Sequence, residues 1–320
     1  MLMSRQRPRR VSEATPELQL AARTALRGTR HLLVNGDARE LGWIPDGSVH
    51  LVVTSPPYWT LKEYNAHKDQ LGHVQDYDEF HDELAKVWAH VYRMLVPGGR
   101  LVCVVGDVCL SRRANGRHVV MPLHADIVVR CRKLGFDNLA PIIWYKIANA
   151  AYEVERGGGF LGKPYEPNAI IKNDIEFILM LRKPGGYRTP TTDQRVRSKL
   201  SKDEYQEWFR QIWTLPGSST RDHPAPYSVD LAYRLVRMFS FVGDTVVDPF
   251  VGTGSSSLAA MKAGRNSIGV EIDSRYFSST VDRVNEAASQ LDFLESGAAP
   301  ELLVSKTSRD VAHIARRFFG

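Results

Sequence analysis

The sequence predicts an α/β protein built on a mainly parallel sheet, and three observations point there. Short apolar runs alternate with segments of helical periodicity, the pattern in which crossover helices connect neighbouring strands. Residues 54–59 read Thr-Ser-Pro-Pro-Tyr-Trp and follow directly on the apolar run 49–53. Residues 248–256 read Asp-Pro-Phe-Val-Gly-Thr-Gly-Ser-Ser and lie between a strand-like run and a helix-like one. Consecutive prolines cannot continue a sheet, because each lacks an N–H and fixes φ, so the first of these strands must stop in a rigid turn. Open α/β sheets bind ligands at that carboxyl end of their strands.

Taken in order, residues 31–34 and 49–53 read as buried strands. A helix over about 77–95 puts Phe80, Leu84, Val87, Val91 and Leu95 on one face at spacings of three and four. Pro97-Gly98-Gly99 stops it, and residues 100–105 return as a strand. A helix near 122–133 leads through Gly135 to a strand at 141–145. From 147 to about 211 the pattern is irregular, with three consecutive glycines at 157–159, several turn prolines and one convincing strand at 175–181. A segment of that kind within a compact domain is either disordered or functional. Helix, strand, glycine-rich turn, helix and strand then follow at about 227–241, 245–247, 248–255, 256–263 and 267–272, and a long helix begins near 274. The last thirty residues look peripheral, although Val311, Ile314, Ala315 and Phe318 fit a short amphipathic helix.

At 320 residues and 43% hydrophobic content the chain can bury a sizeable core. No apolar stretch approaches the roughly 18 to 20 residues that cross a bilayer, and no signal-peptide core follows the N-terminal arginines. The three cysteines lack metal-ligand spacing, so no metal site and a reduced cytoplasmic setting are expected. The net charge is +6, and the excess is local: residues 1–30 hold seven arginines against two glutamates, and residues 182–202 carry seven cations against Asp193 alone. Such stretches are either solvated surface or phosphate contacts.

The glycine turn lacks the lysine of a phosphate loop and the third glycine of dinucleotide folds. Glu271 ends the next strand, where an acid can accept from both ribose hydroxyls. A nucleoside cofactor without pyrophosphate suits this pattern, and S-adenosylmethionine is one.

Together, Ser55-Pro56-Pro57-Tyr58 and Asp248-Pro249-Phe250-x-Gly252-x-Gly254 resemble the amino-group DNA methyltransferases. With the catalytic tetrapeptide first and the glycines last, the order resembles the circularly permuted β subgroup. The resemblance implies a Rossmann-like S-adenosylmethionine-dependent methyltransferase fold with a target-recognition region inserted between its halves. It divides the chain into a basic N-terminal extension (1–30), a catalytic half (31–150), a target-recognition region (151–211), a cofactor-binding half (212–290) and a C-terminal extension (291–320). Asp37, Asp248, Phe250, Gly252, Gly254 and Glu271 are the implied cofactor residues, with the segment 223–232 at the methionine end. Ser55, Pro56, Pro57 and Tyr58 are the implied catalytic residues. Trp144 and Lys146 resemble a family element near the target base, with core packing as the other reading of Trp144. Arg188, Arg195, Arg197 and Lys199 are the expected DNA contacts.

The expected partner is double-stranded DNA in a prokaryotic cytoplasm at the nucleoid, with a cognate restriction endonuclease and a homodimer left open. A base amine is a poor nucleophile, because its lone pair is delocalised into the ring. Ser55 Oγ and the Pro56 carbonyl are acceptors suited to localising that pair. The target must leave the helix to be reached, and Tyr58 is the ring expected to stack on it. No cysteine lies near the prolines, which sets C5 methylation aside. Ser at the head of the tetrapeptide favours cytosine N4. Adenine N6 methylation and a catalytically inactive DNA-binding relative are the alternatives.

Overall fold

The computed structural model describes residues 28–60, 70–145, 173–216, 227–294, 299–307 and 310–320. β1 (Arg30–Asn35) and β2 (Val49–Thr54) come first. α1 (Tyr77–Met94), β3 (Leu95–Val105), the hairpin β4 (Val108–Leu110) and β5 (Val119–Met121), α2 (Leu123–Lys133) and β6 (Asp137–Tyr145) follow. Next are β7 (Ile175–Arg182), α3 (Thr192–Arg197), α4 (Lys202–Trp208) and β8 (Ile212–Trp213). The remaining elements are α5 (Val229–Phe239), β9 (Thr245–Asp248), α6 (Ser255–Lys262), β10 (Asn266–Glu271), α7 (Ser274–Leu294), β11 (Glu301–Ser305) and α8 (Val311–Phe319).

Among the described residues one sheet has the order β11-β1-β10-β9-β2-β3-β7-β6-β8. Its pairings are parallel except at β7, which runs against both β3 and β6. The mainly parallel α/β architecture is therefore as expected. Strands alternate between two covered faces. On β3, Leu101, Cys103 and Val105 join the core under α1 and α2, while Val102 and Val104 join the core under α5 and α6. Burial on both sides is why these strands read as continuous apolar runs.

α1 and α5 start where a side chain satisfies one of their first N–H groups. Asp76 accepts from Glu79 N ahead of α1, and Ser228 accepts from Leu231 N ahead of α5. Each first turn also carries an acid, Asp78 and Glu79 in α1 and Asp230 in α5, which suits the positive end of the helix dipole.

Several expectations need correction. The described part of the irregular segment, 173–211, is regular where it reads as irregular. Within it, β7 lies inside the sheet, and α3 and α4 each open on a full capping box, Thr191 with Gln194 and Ser201 with Glu204. β3 begins at Leu95, ahead of Pro97-Gly98-Gly99, so those residues sit in the first part of a strand. β6 begins at Asp137 and accommodates Pro141 at an irregularity between Leu139 and Ile142. The C-terminal segment is not merely peripheral, because β11 pairs with β1 along the sheet edge and α8 buries Val311 and Phe318 in the main core.

Sheet order brings the two motifs together. β9 and β10 insert between β1 and β2, so strands about 200 residues apart in sequence become neighbours, with Val52 opposite Val247. The turn at 55–58 and the turn at 249–254 leave the same carboxyl edge.

Candidate active site

β2 ends at Thr54, which is fully buried and donates through Oγ1 to Asp248 Oδ1 at 2.6 Å. The next residues form the turn that walls an open cleft. Ser55, Pro56 and Pro57 line one side, and Gly36, Asp37 and Ala38 after β1 line another. Phe250 and Gly252 come from the glycine turn, and Glu271, Ile272 and Tyr276 from the end of β10 and the start of α7. Gln70 and Leu71 complete it.

Glu271 is held at both carboxylate oxygens. Oε1 accepts from Asp273 N at 2.9 Å and Oε2 from Gly252 N at 3.0 Å, leaving one lone pair on each oxygen for a ligand's hydroxyls. Burial pushes its carboxyl up to about 7, against the pull of those two N–H groups. A pair of ribose hydroxyls would favour the ionised form. Cofactor binding is therefore expected to release a proton below about pH 7 and to weaken about tenfold from pH 8 to pH 6, as the ionised fraction falls. In the free protein the same shift works in the opposite sense. It favours folding below the ordinary carboxyl value of 4.5, and that advantage is lost as pH rises through about 7. Calorimetric titration at the two pH values checks the binding slope. Equal affinities, or a Glu271→Gln variant with the same slope as wild type, would contradict it.

Asp37 lines the cleft with its carboxylate already charge-paired. Arg39 Nε lies 3.0 Å from each oxygen, and its NH2 donates to Oδ2 at 2.6 Å. The same guanidinium reaches Glu83 on α1 at 2.7 Å. The acid is thereby held in place at the edge of the cleft, and a cofactor amine would meet a carboxylate whose charge is balanced.

Asp248 differs from its expected role. It is 2% exposed and does not line the cleft. Oδ1 accepts from Thr54 Oγ1 and from Phe250 N at 3.0 Å, and Oδ2 accepts from Tyr227 OH at 2.9 Å and Ser256 Oγ at 2.6 Å. All its acceptor positions are filled by the protein. It ties the catalytic turn to the glycine turn, and no lone pair is left for a cofactor. Burial pushes its carboxyl up, opposed by these donors. Gly254 also stands outside the cleft. Its φ of 83° opens α6, and a Cβ there would lie 2.9 Å from Thr280 Cγ2, so glycine is required for packing.

Tyr58 is 6% exposed and packs in the core, its hydroxyl 3.5 Å from Ser55 Oγ. Its ring face is not presented to an incoming base. Trp144 is fully buried, with Nε1 donating to Leu215 O at 2.8 Å, which is the core reading of that residue. Lys146 and residues 223–226 lie outside the described residues.

The basic stretch is displaced from the site. β7 runs against β3, so its start meets the carboxyl edge and Arg182 lies at the opposite edge, roughly 23 Å away. Arg188 pairs there with the buried Asp244, and Arg197 pairs with Asp193 at 3.0 Å. α3, with the exposed Arg195 and followed by Lys199, is anchored to that edge by Gln194 Nε2 donating to Val242 O and by Val242 N donating to Ser198 Oγ. These four cations therefore do not face the catalytic turn.

Gln70, Leu71, Ile272 and Tyr276 join the cleft without any local pattern that marks them in the sequence. Ile272, directly after Glu271, and Tyr276, five residues on, are the two that stand near a recognised motif.

A cleft walled by a Ser-Pro-Pro turn and a glycine turn at the carboxyl edge of a parallel sheet defines a nucleoside-cofactor enzyme class. Comparison narrows it. A model of the DNA methylase family of N6 and N4 methyltransferases matches residues 49–282, from β2 into α7, and the chain belongs to that family. The Type II methyltransferase M.MjaI of Methanocaldococcus jannaschii is 38% identical over 275 residues, covering 77% of this chain and 88% of the relative. TTHA0409 of Thermus thermophilus, a candidate DNA modification methylase solved in complex with S-adenosyl-L-methionine, is 52% identical. It covers 87% of this chain and 99% of its own, with a TM-score of 0.69. The PvuII cytosine-N4-specific DNA methyltransferase, at 18% identity and a TM-score of 0.58, covers 92% of this chain and shares the fold.

Proposed function

We propose that this chain is a site-specific DNA methyltransferase of the permuted β subgroup that methylates the exocyclic N4 amine of a flipped cytosine, using S-adenosylmethionine. The observation that carries the reading is a single cleft lined by Glu271, Gly252 and Asp37 together with Ser55 and Pro56, with β9 between the strands that end at Glu271 and before Ser55. The residues fit the cofactor. Glu271 keeps two acceptor positions for hydroxyls, glycine at 252 leaves backbone room, and Phe250 supplies an apolar wall. When bound, S-adenosylmethionine supplies an electrophilic methyl group on sulfur.

The chain's part is to position the amine. Ser55 Oγ and the Pro56 carbonyl accept its two hydrogens, which favours a more tetrahedral nitrogen and exposes the lone pair. Pro57 keeps the Pro56 carbonyl fixed. Holding reactants in line supplies most of the rate, and no covalent enzyme intermediate is needed. The target reaches the turn only after flipping, which costs a few kcal/mol. DNA approaches the edge made by the carboxyl ends of β2 and β3 and the start of β7.

The test is to incubate the protein with S-adenosylmethionine and duplex DNA, digest the DNA, and identify the modified nucleoside by mass. N4-methylcytosine supports the proposal. N6-methyladenine alone replaces cytosine with adenine on the same fold, and no methylated nucleoside on any duplex supports a catalytically inactive relative.

A further inference from the structure

A second group of polar side chains stands at the carboxyl edge, beside the catalytic turn and outside the cofactor cleft. β3 ends at Val105, and Gly106 and Asp107 follow. The β4–β5 hairpin leads the chain away and back, so that His124, in the first turn of α2, returns over Asp107. His124 Nδ1 lies 2.6 Å from Asp107 Oδ1, and its backbone N donates to the same oxygen at 3.3 Å. Asn173 donates to the Asp107 carbonyl at 3.4 Å. The imidazole stacks on Phe177, at the start of β7, with centroids 3.8 Å apart and planes 10° from parallel.

This arrangement fixes both the plane and the tautomer of the ring. The Asp107 carboxylate accepts a hydrogen bond from Nδ1–H, which keeps the proton on that nitrogen and leaves the lone pair on Nε2. The ring is held in position while its side chain keeps 27% exposure, so it is partly open to solvent. Ser55 lacks a comparable base among the described residues. Its hydroxyl lies 3.5 Å from that of Tyr58, at the limit of a hydrogen bond.

The pair also lies next to the catalytic tetrapeptide. A Cβ on Gly106 would stand 3.5 Å from Tyr58 Cε2 and 3.2 Å from Glu176 Cγ. Tyr58 therefore rests against the residue before Asp107, and Glu176 is the residue before Phe177. β2, β3 and β7 are adjacent in the sheet and present this edge together.

Resting on the proposed methyl transfer, we propose that His124, oriented by Asp107, accepts the proton that the target amine loses. In that step the amine nitrogen forms a bond to the methyl carbon, and the carbon–sulfur bond breaks with its electron pair left on sulfur. One N–H proton passes to His124 Nε2, directly or through one water, and from there to solvent. Titratable groups on the elements around the ring include Asp107 after β3, Asp174 and Glu176 at β7, Asp126 and Arg130 on α2, and Tyr77, Asp78, His81 and Asp82 on α1, with Arg130 paired to Asp78 and Asp82. Tyr77 donates to Asp126 at 2.9 Å, so that acid already has a partner.

Single-turnover methyl transfer at saturating cofactor, which keeps Glu271 ionised, tests the assignment. His124→Phe preserves the stack on Phe177 and removes the acceptor, and His124→Ala leaves room for added imidazole. Both variants are expected to transfer methyl about a hundredfold more slowly, to lose the acid limb of the pH profile, and to bind cofactor and duplex within about threefold of wild type. Imidazole is expected to restore part of the rate to His124→Ala only. A His124→Phe variant as fast as wild type overturns the proposal. So does a slow His124→Ala variant that binds both ligands normally and gains nothing from imidazole. A wild-type protein that methylates no nucleoside overturns the methyltransferase reading itself, a different result from either.

Discussion

Asp248→Ala is expected to lower the melting temperature by about 10 °C and to abolish methyl transfer with it. The carboxylate is buried and accepts four hydrogen bonds, from Thr54, Phe250 N, Tyr227 and Ser256. Alanine leaves all four donors without that acceptor. An orphaned buried donor costs about 1–3 kcal/mol, but three of these are hydroxyls that can turn to other acceptors, so the total is about 3–5 kcal/mol. A domain of this size loses about 2–4 °C per kcal/mol. Activity falls further than stability, because the same carboxylate joins the residue before Ser55 to the turn that carries Phe250 and Gly252. Without it the two walls of the cleft are no longer held in register. Asp248→Asn separates the effects. Its amide oxygen still serves Thr54 and Phe250 N, and its NH2 can donate to rotated hydroxyls of Tyr227 and Ser256, so about 1–2 kcal/mol is expected. Scanning calorimetry with a cofactor titration measures both. An alanine variant that melts within about 2 °C of wild type would show that the site does not depend on this residue.

The contrast between Asp248 and Glu271 shows what a sequence pattern carries. Both acids end strands, one just before the glycine turn and one on the next strand, and both fit the pattern of a cofactor ligand. Glu271 has spare lone pairs and lines the cleft, whereas Asp248 has none and does not. Hydrogen-bond saturation depends on Thr54, 194 residues away in the chain, and no local pattern encodes that. The strands at 31–34, 49–53 and 245–247 are legible because burial on both faces makes them uniformly apolar. The helix α1 is legible from its period.

The basic stretch shows the converse. Its composition suggests phosphate contacts, but the direction of β7 sends Arg182 and the residues after it to the far edge. Asp244, 56 residues from Arg188, holds that arginine there. Strand direction is set by pairing with β3 and β6, and a single apolar run does not disclose it. The helices α3 and α4 do have a local signal, in Thr-x-x-Gln and Ser-x-x-Glu, which the surrounding turn residues obscure. His124 and Asp107 lie 17 residues apart with a hairpin between them, and only the return of that hairpin makes them a pair.

Ser55→Ala is expected to slow methyl transfer by about 10²- to 10³-fold while leaving cofactor affinity within about threefold. Ser55 follows β2, which β9 separates from the strand ending at Glu271, and it bonds neither Glu271 nor Gly252, so its loss does not disturb the groups that hold the ribose. Its hydroxyl is one of two acceptors for the amine, and the other, the Pro56 carbonyl, belongs to the backbone and survives the substitution. Partial loss is therefore expected, and abolition is not. The deficit belongs to the chemical step, because a fixed acceptor stabilises the tetrahedral amine more than the planar one. It should appear in the single-turnover rate and leave the duplex dissociation constant nearly unchanged. Ser55→Thr retains an acceptor at the same atom and is expected to recover most of the rate. Fold integrity is not at issue, since Thr54 keeps its bond to Asp248 in every variant. Two outcomes would sink the assignment: cofactor binding that weakens in step with the rate, or an alanine variant that transfers methyl as fast as wild type.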